Sequence, residues 1–453
     1  MKLRTYQDEA LAWCLSTPRG YLAAKAGAGK TAVALALIDS LIFDSFDMQA
    51  ALVVAPKRVV AQWAREAAKW AFGARLGFRE YLGPPKARAS ALDAIRQAQG
   101  NVLVCSFEHF PELMKAIPLK DWPFGLVVFD EASRLRNGGR QGSVTWKAMN
   151  AVSRKTTSRI LLMSGSPRPG TAHELWGPVA LLDRGLRLGQ TLAEFRARFL
   201  QPDKWDHRSG QVYSWKVRLG QEPALYAAIQ DLFFAVSPDL GLRFVEIDRW
   251  VQLPVAIADA CEELQREQVV DLDALEVTAG SQGVVAGKLH QLCQGAVFDA
   301  SGAWHEVHDE KLLELDSVIE EIDAPTIVCV WYDHDRERVL ARYPNAVDIT
   351  TEAGLAAAQA GRVRLAVLHP ASAAHGIDGL QAHFSDLVWF ALPASFELYS
   401  QTIARICRSG QATTVRAWRI LAAGGIVDQR IAARLVEKEA GQETFFSYLE
   451  TAA

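Results

Sequence analysis

Short apolar runs rich in β-branched residues alternate with longer Ala- and Leu-rich stretches of helical period along most of the chain. In the first half the runs fall at 20–24, 51–55, 101–106, 125–129 and 160–163, each ending in small or polar residues. In the second half they fall at 326–330, 346–349, 365–368, 387–390 and 415–421. A continuous apolar run predicts a strand buried on both faces, and such strands separated by helical stretches predict parallel sheets covered by helices. From 187 to 310 the pattern loosens into amphipathic helical segments and polar turns, among them 202–210 and 238–241. The expected organisation is an N-terminal α/β domain over 1–190, a linker with helical protrusions over 191–310, and a C-terminal α/β domain over 311–453. Tandem repeats and low-complexity tracts are absent, which argues against a solenoid.

Composition agrees with two packed domains. A chain of 453 residues with 50% apolar and 22% charged residues exceeds what one core usually supports. Lys and Arg total 49 against 52 Asp and Glu, a net charge of −3. A polyanion is therefore not attracted globally, and any nucleic-acid site must be a local patch or a cleft. Cys14, Cys105, Cys261, Cys293, Cys329 and Cys407 are scattered and form no C-x-x-C pair, so they are expected as buried thiols in a reducing compartment. The N-terminus carries no apolar signal region, and no apolar stretch approaches about 20 residues. A cytoplasmic protein without membrane contact is expected.

The candidate chemistry lies at strand ends. Ala26-Gly27-Ala28-Gly29-Lys30-Thr31 follows the first strand and opens an Ala-rich helix. Glycines let backbone N–H groups approach a triphosphate closely, and the helix N-terminus adds positive potential beneath it. Lys30 would reach the β- and γ-phosphates of ATP, and the Thr31 hydroxyl would ligate magnesium. Ala24 stands where the full motif has glycine. Asp130-Glu131 closes the fourth run, at the sheet edge where open α/β folds bind ligands. Asp130 suits magnesium and Glu131 suits polarising the attacking water. In the second half, Arg405 and Arg408 are three apart and would share one helix face, aimed together at an anion such as the γ-phosphate.

In order and residue type these motifs resemble the superfamily-two helicases, and specifically their Swi/Snf branch. Leu3-Arg4-Thr5-Tyr6-Gln7 resembles the opening L-R-x-Y-Q, which implies an adenine-side role for Gln7 with Arg4 beside it. Val53-Val54-Ala55-Pro56 with Gln62-Trp63, then Leu103-Val104-Cys105-Ser106-Phe107-Glu108, resemble the next two motifs. Asp130-Glu131-Ala132-Ser133 resembles a D-E-A-H box with Ser for His; Leu162-Met163-Ser164-Gly165-Ser166-Pro167 resembles L-T-G-T-P, followed by Glu174-Leu175-Trp176. In the second half, Ile327-Val328-Cys329-Val330-Trp331 resembles the fourth motif. Gln401 through Gln411 resembles Q-A-x-x-R-x-x-R-x-G-Q, adding Gln401 to the nucleotide set. His375-Gly376-Ile377-Asp378-Gly379-Leu380-Gln381 departs from E-G-L-N-L-Q by one residue.

The resemblance implies two tandem RecA-like domains and a monomeric, ATP- and magnesium-dependent motor that translocates on double-stranded DNA. Strand separation or annealing on forked or branched DNA is the alternative, with single-stranded or branched DNA as the partner in place of duplex, and a non-catalytic ATP-gated nucleic-acid-binding subunit a second. It places Pro56, Lys57, Trp63, Ser106, Ser166 and Gly376 along the nucleic-acid path, gripped through phosphates. Other signals are weaker. His305 and His308 are three apart where H-E-x-x-H needs four, and His290 with Cys293 lacks a second pair, so neither predicts a metal site. Asp333-His334-Asp335 is expected as a solvated turn, and Trp70 as core.

Overall fold

A computed structural model of the chain describes residues 2–25, 27–139, 142–168, 171–205, 210–237, 241–272, 275–278, 282–373, 377–423 and 426–451. Its contacts divide it into two units, Met1–Pro238 with Ala440–Ala453, and Asp239–Glu439. The strands of the first are β1 (Arg19–Ala24), β2 (Ala51–Ala55), β3 (Phe78–Tyr81), β4 (Val102–Ser106), β5 (Leu126–Asp130), β6 (Arg159–Ser164), β7 (Leu200–Trp205), β8 (Val212–Val217) and β9 (Phe233–Val236). Seven of them form one sheet in the order β3-β4-β2-β5-β6-β1-β9. Every neighbouring pair is parallel. Side chains alternate between faces along a strand, so Leu22, Val53 and Val128 enter the core on one side while Tyr21, Val54 and Phe129 enter the core on the other. That double burial is why these strands read as continuous apolar runs.

The last residues of the chain complete the first unit. Phe445, Phe446 and Leu449, from the helix Ile426–Thr451, lie in the same core as Tyr21 and Phe233. Arg168 Nη1 donates to the Gly441 carbonyl at 3.1 Å, and Gln442 Nε2 donates to the Gly165 carbonyl at 3.2 Å.

The second unit has its own all-parallel sheet. It contains β10 (Phe244–Gln252), β11 (Val269–Leu272), β12 (Leu275–Thr278), β13 (Ala296–Phe298), β14 (Trp304–Glu306), β15 (Thr326–Cys329), β16 (Val347–Asp348), β17 (Leu365–Leu368), β18 (Asp386–Trp389) and β19 (Val415–Ala423). The six-stranded order is β10-β19-β18-β15-β17-β16, parallel throughout. Both faces are again apolar, with Val328 and Val388 on one side and Ile327 and Leu387 on the other.

The stretch 191–310 differs from the expected linker with helical protrusions. It holds helices such as Leu192–Phe199 and Val255–Glu267, but also the antiparallel hairpins β7-β8, β11-β12 and β13-β14. Moreover β9 extends the first sheet and β10 pairs with β19 in the second, so contacts divide the chain near 238 rather than at 190 and 310. Edge strands explain the difference. β10 is half-exposed and carries Glu246, Asp248 and Arg249, which breaks the continuous apolar signature of a central strand. Asp333-His334-Asp335 is likewise not a solvated turn: it opens the helix Asp333–Arg342, and His334 and Asp335 are fully buried. Asp335 accepts the Trp331 and Tyr332 N–H groups at 3.2 and 3.0 Å. The six cysteines are free thiols, five of them buried. Among the described residues, no helix is long and apolar enough to cross a membrane.

One buried ion pair fastens the second unit. Lys311, 1% exposed, donates from Nζ to Asp428 Oδ2 at 2.6 Å, Gln294 Oε1 at 2.9 Å and the Phe390 carbonyl at 3.2 Å. Burial pushes the Asp428 carboxyl up, but Lys311 and His290 beside it outweigh burial and hold it below its ordinary value. Stripping one partner leaves a buried unpaired charge, at a cost of about 3–5 kcal/mol, whereas replacing both is far milder. Lys311→Met should therefore lower the urea midpoint of the second unit clearly, and Lys311→Met with Asp428→Leu should recover most of the loss, read by denaturation followed with circular dichroism.

Candidate nucleotide site

The site is assembled on the carboxyl ends of β1, β6 and β5. After Ala24 the chain turns through Gly27 and Gly29, at φ 83° and 79°, which glycine adopts without a Cβ penalty. Gly29 immediately precedes the helix Lys30–Asp39, so the positive end of that helix opens at this turn. Lys30 Nζ donates to the Ala24 carbonyl at 2.9 Å. Ala24 is tolerated where the full motif has glycine because it is the last residue of β1, in register with Val236. Ala28 is buried within the same turn. Ala26 lies outside the described residues.

Gln7 ties the N-terminal helix to this turn. Its Oε1 accepts the Arg4 N–H at 2.9 Å, capping the helix Thr5–Ser16, and its Nε2 donates to the Ala28 carbonyl at 3.0 Å. A Cβ on Gly29 would fall 2.3 Å from Gln7 Nε2, so the glycine is needed for its missing side chain as well as its φ. Arg4 is exposed at the helix start.

Because β6 lies between β1 and β5, its last residue faces both partners. Ser164 pairs in register with Ala23, and its neighbour Met163 with Asp130. Ser164 Oγ donates to Glu131 Oε1 at 2.6 Å, and Ser133 Oγ donates to the same oxygen at 3.1 Å. The Ser166 N–H in turn donates to Ser164 Oγ at 3.0 Å. Glu131 is held at φ 68°, ψ 59°, a left-handed conformation that costs an ordinary residue about 1–3 kcal/mol and that clusters at functional sites. Ser133, which replaces the histidine of the D-E-A-H pattern, thus acts on the glutamate directly. The sequence signal for Ser164 was its place at the end of the fifth apolar run.

Burial, then the charge of Glu131, push the Asp130 carboxyl up to about 6, against the opposing pull of Lys30 and the Trp63 indole. Paired carboxylates at the end of β5, with the Thr31 hydroxyl at the start of the helix after β1, are oxygen donors of the kind a hard divalent cation takes. Among the described residues no cluster of His, Cys, Asp or Glu could hold a metal alone. Magnesium suits this arrangement, since it takes one or two protein oxygens together with substrate phosphates.

In the second unit Arg405 and Arg408 do not lie on one helix face. The helix Phe396–Ile403 ends before them, because its hydrogen bonds tighten to Arg405 N–H to Thr402 and Ile406 N–H to Ile403, at 3.1 Å each. They converge all the same: Arg408 pairs with Asp378, and Arg405 Nη1 lies 3.6 Å from the same carboxylate and donates to the Ile377 carbonyl at 3.1 Å. Asp378 belongs to the loop that departs from E-G-L-N-L-Q, and sequence reasoning gave it no role. Gln401 sits in the last turn of the helix Phe396–Ile403.

The expected nucleic-acid residues fare unevenly. Lys57 is exposed, whereas Pro56, Ser106 and Ser166 are buried. Trp63 cannot stack on bases: it is 1% exposed, because the helix Val60–Ala67 turns Val60, Trp63 and Ala67 into the core at helical spacing. Trp70 is also buried. Gly376 lies outside the described residues.

All-parallel main sheets in both units, a glycine-rich turn between β1 and its helix, and paired carboxylates at the end of β5 are the arrangement of a RecA-like ATP-hydrolysing enzyme. Residues 6–220 match the family model of the SNF2-related domain. Protein p41 of Acyrthosiphon pisum secondary endosymbiont phage 1 is 28% identical over 421 residues, covering 90% of this chain and 89% of that protein. Mouse chromodomain-helicase-DNA-binding protein 1-like is 28% identical and the Schizosaccharomyces pombe SWI/SNF chromatin-remodeling complex subunit snf22 is 29% identical. Those matches cover 47% and 49% of this chain, but only 23% and 13% of the two longer proteins. The Sulfolobus solfataricus SWI2/SNF2 ATPase core in complex with double-stranded DNA aligns over 99% of this chain and 95% of that one, at 18% identity and a TM-score of 0.46. Over its first half the chain is thus similar to the SNF2-related family, and over most of its length to the phage protein p41.

Ser164→Ala removes a short hydrogen bond to a charged group, of a kind worth about 1.5–3 kcal/mol, and frees Glu131 to leave its position. Nucleotide turnover at saturating ATP should fall roughly tenfold or more, with ATP affinity changed less than about twofold. A coupled turnover assay and equilibrium nucleotide binding read the two separately.

Proposed function

We propose that this chain is a DNA-stimulated ATPase that couples hydrolysis to movement along, or remodelling of, duplex DNA. The observation that carries this reading is the set of Lys30, Thr31, Asp130, Glu131 and Ser164 brought to one sheet edge, with Glu131 held by two hydroxyls. In this reading the Gly27–Gly29 turn and the helix N-terminus cradle the phosphates, while Lys30 exchanges the Ala24 carbonyl for phosphate oxygens. Thr31 and Asp130 would hold magnesium, which supplies charge neutralisation to the phosphates. Glu131 orients and polarises the attacking water. Arg405 and Arg408 exchange Asp378 for the γ-phosphate in the hydrolysing state. Gln7 and Arg4 meet the nucleotide's base side, with Gln401 assisting from the second unit. Duplex DNA is gripped through its phosphates, Lys57 among the contacts, by a chain that acts as a monomer in the cytosol.

The test is ATP turnover with and without duplex DNA. Wild type should be stimulated by the duplex. Glu131→Gln should bind ATP but lose about 10²–10⁴ in turnover, and Arg408→Ala about 10³. Absence of DNA stimulation together with normal hydrolysis by Glu131→Gln would sink the reading. Independently, raising salt from about 50 to about 200 mM should weaken duplex binding by orders of magnitude, measured by fluorescence anisotropy. A flat response excludes a phosphate grip.

A further inference from the structure

The helix Ile426–Thr451 reaches the nucleotide site through one side chain. Gln442 lies three and four residues before Phe445 and Phe446, on the helix face whose rings enter the core with Tyr21 and Phe233. It is 8% exposed, and a leucine would fill that face without burying a polar group. Its Nε2 donates to the Gly165 carbonyl at 3.2 Å, whereas its Oε1 is buried and has no hydrogen-bond partner among the described residues. A buried amide satisfied at one end only is less favourable than an apolar side chain. Packing therefore does not account for a glutamine at this position.

The group it holds leads to Glu131. The Gly165 carbonyl and the Ser166 N–H belong to one peptide unit, planar and trans, so they point in opposite directions. Gln442 binds one end of that unit. The other end donates to Ser164 Oγ at 3.0 Å, and Ser164 Oγ donates to Glu131 Oε1 at 2.6 Å. Three hydrogen bonds thus run in one direction, from the helix amide through a peptide and a hydroxyl to the carboxylate. Each intermediate group accepts on one side and donates on the other, and in such a series each bond polarises the next, strengthening it by about 10–30%.

The helix itself is fixed at the same level. Arg168 Nη1 donates to the carbonyl of Gly441, the residue before Gln442, at 3.1 Å, and to Tyr226 Oη at 2.6 Å and Glu222 Oε1 at 3.1 Å. The Tyr226 ring packs on Phe445 with centroids 5.0 Å apart. On the other side, Lys25 Nζ lies 5.8 Å from the centre of the Phe446 ring, and Lys25 directly follows β1. Residues 441–446 therefore meet the segments after both β6 and β1, two of the three strand ends that build the site.

We propose that Gln442 is a positioning residue for ATP hydrolysis, holding the Gly165–Ser166 peptide so that Ser164 keeps Glu131 in place. It acts at one remove, through that peptide and the serine hydroxyl. This rests on the ATPase reading above and adds to it a residue outside every sequence motif of the site.

The test is a double-mutant cycle on turnover at saturating ATP, with kcat expressed per titrated ATP-binding site so that an unfolded fraction does not count. Gln442→Met keeps the side chain's length and removes the donor. It should lower kcat about 2- to 12-fold, the range of one neutral hydrogen bond, with KM and equilibrium ATP affinity within about twofold of wild type. Gln442→Leu should do the same, and Glu443→Ala, exposed on the same turn, should leave kcat unchanged. In a Ser164→Ala background Gln442→Met should lower kcat no further, because the series is already cut. Wild-type kcat in both Gln442 variants overturns the proposal. So do losses that multiply in the double variant, which would give Gln442 a separate structural role, and so does a rise in KM without a fall in kcat. Failure of the ATPase reading looks different: wild type would then not hydrolyse ATP, or Glu131→Gln would hydrolyse it normally, whatever residue stands at 442.

Discussion

The position of β6 between β1 and β5 is the constraint on which the first unit's chemistry depends. In a parallel sheet all carboxyl ends reach one edge, so the glycine-rich turn after β1 and the carboxylates after β5 share that edge but are held one strand apart. Ser164 occupies the intervening strand end and donates to Glu131 across the gap. The left-handed backbone of Glu131 is sustained because strand register, two serine hydroxyls and the packed sheet below all agree on it. Gln7 closes the other side by filling the space that Gly29 leaves.

The two units treat buried carboxylates in opposite ways. Asp428 is surrounded by donors and is held ionised below its ordinary range. Asp130 is pushed up, by burial first and then by the charge of Glu131. One arrangement stabilises its carboxylate, whereas the other disfavours the charged form, the contrast expected between a fastening and a candidate site.

Much of this was legible in the sequence because central parallel strands are buried twice and read as unbroken apolar runs. The predicted runs 51–55 and 365–368 coincide with β2 and β17, and the others shift by a residue or two. Edge strands escaped: β9 and β10 are recognised only through partners about two hundred residues away in the chain, β1 and β19. Gly27, Lys30 and Asp130 were readable because their roles follow from local turn and strand-end chemistry. Trp63 was misjudged because the same residue type serves as a base platform or as core filling, and only its helix phase, with Val60 and Ala67, separates the two. Asp378 had no signal, since its importance lies in two arginines brought to it by folding.

The return of residues 440–453 to the first unit has a consequence for how the protein is made. Domains emerging from the ribosome usually fold in order, the first before the second is complete. In this chain Phe445, Phe446 and Leu449 belong to the core that begins with Tyr21. The nascent first unit therefore lacks part of its apolar core throughout synthesis of the second, and gains those residues only after the second unit has been made.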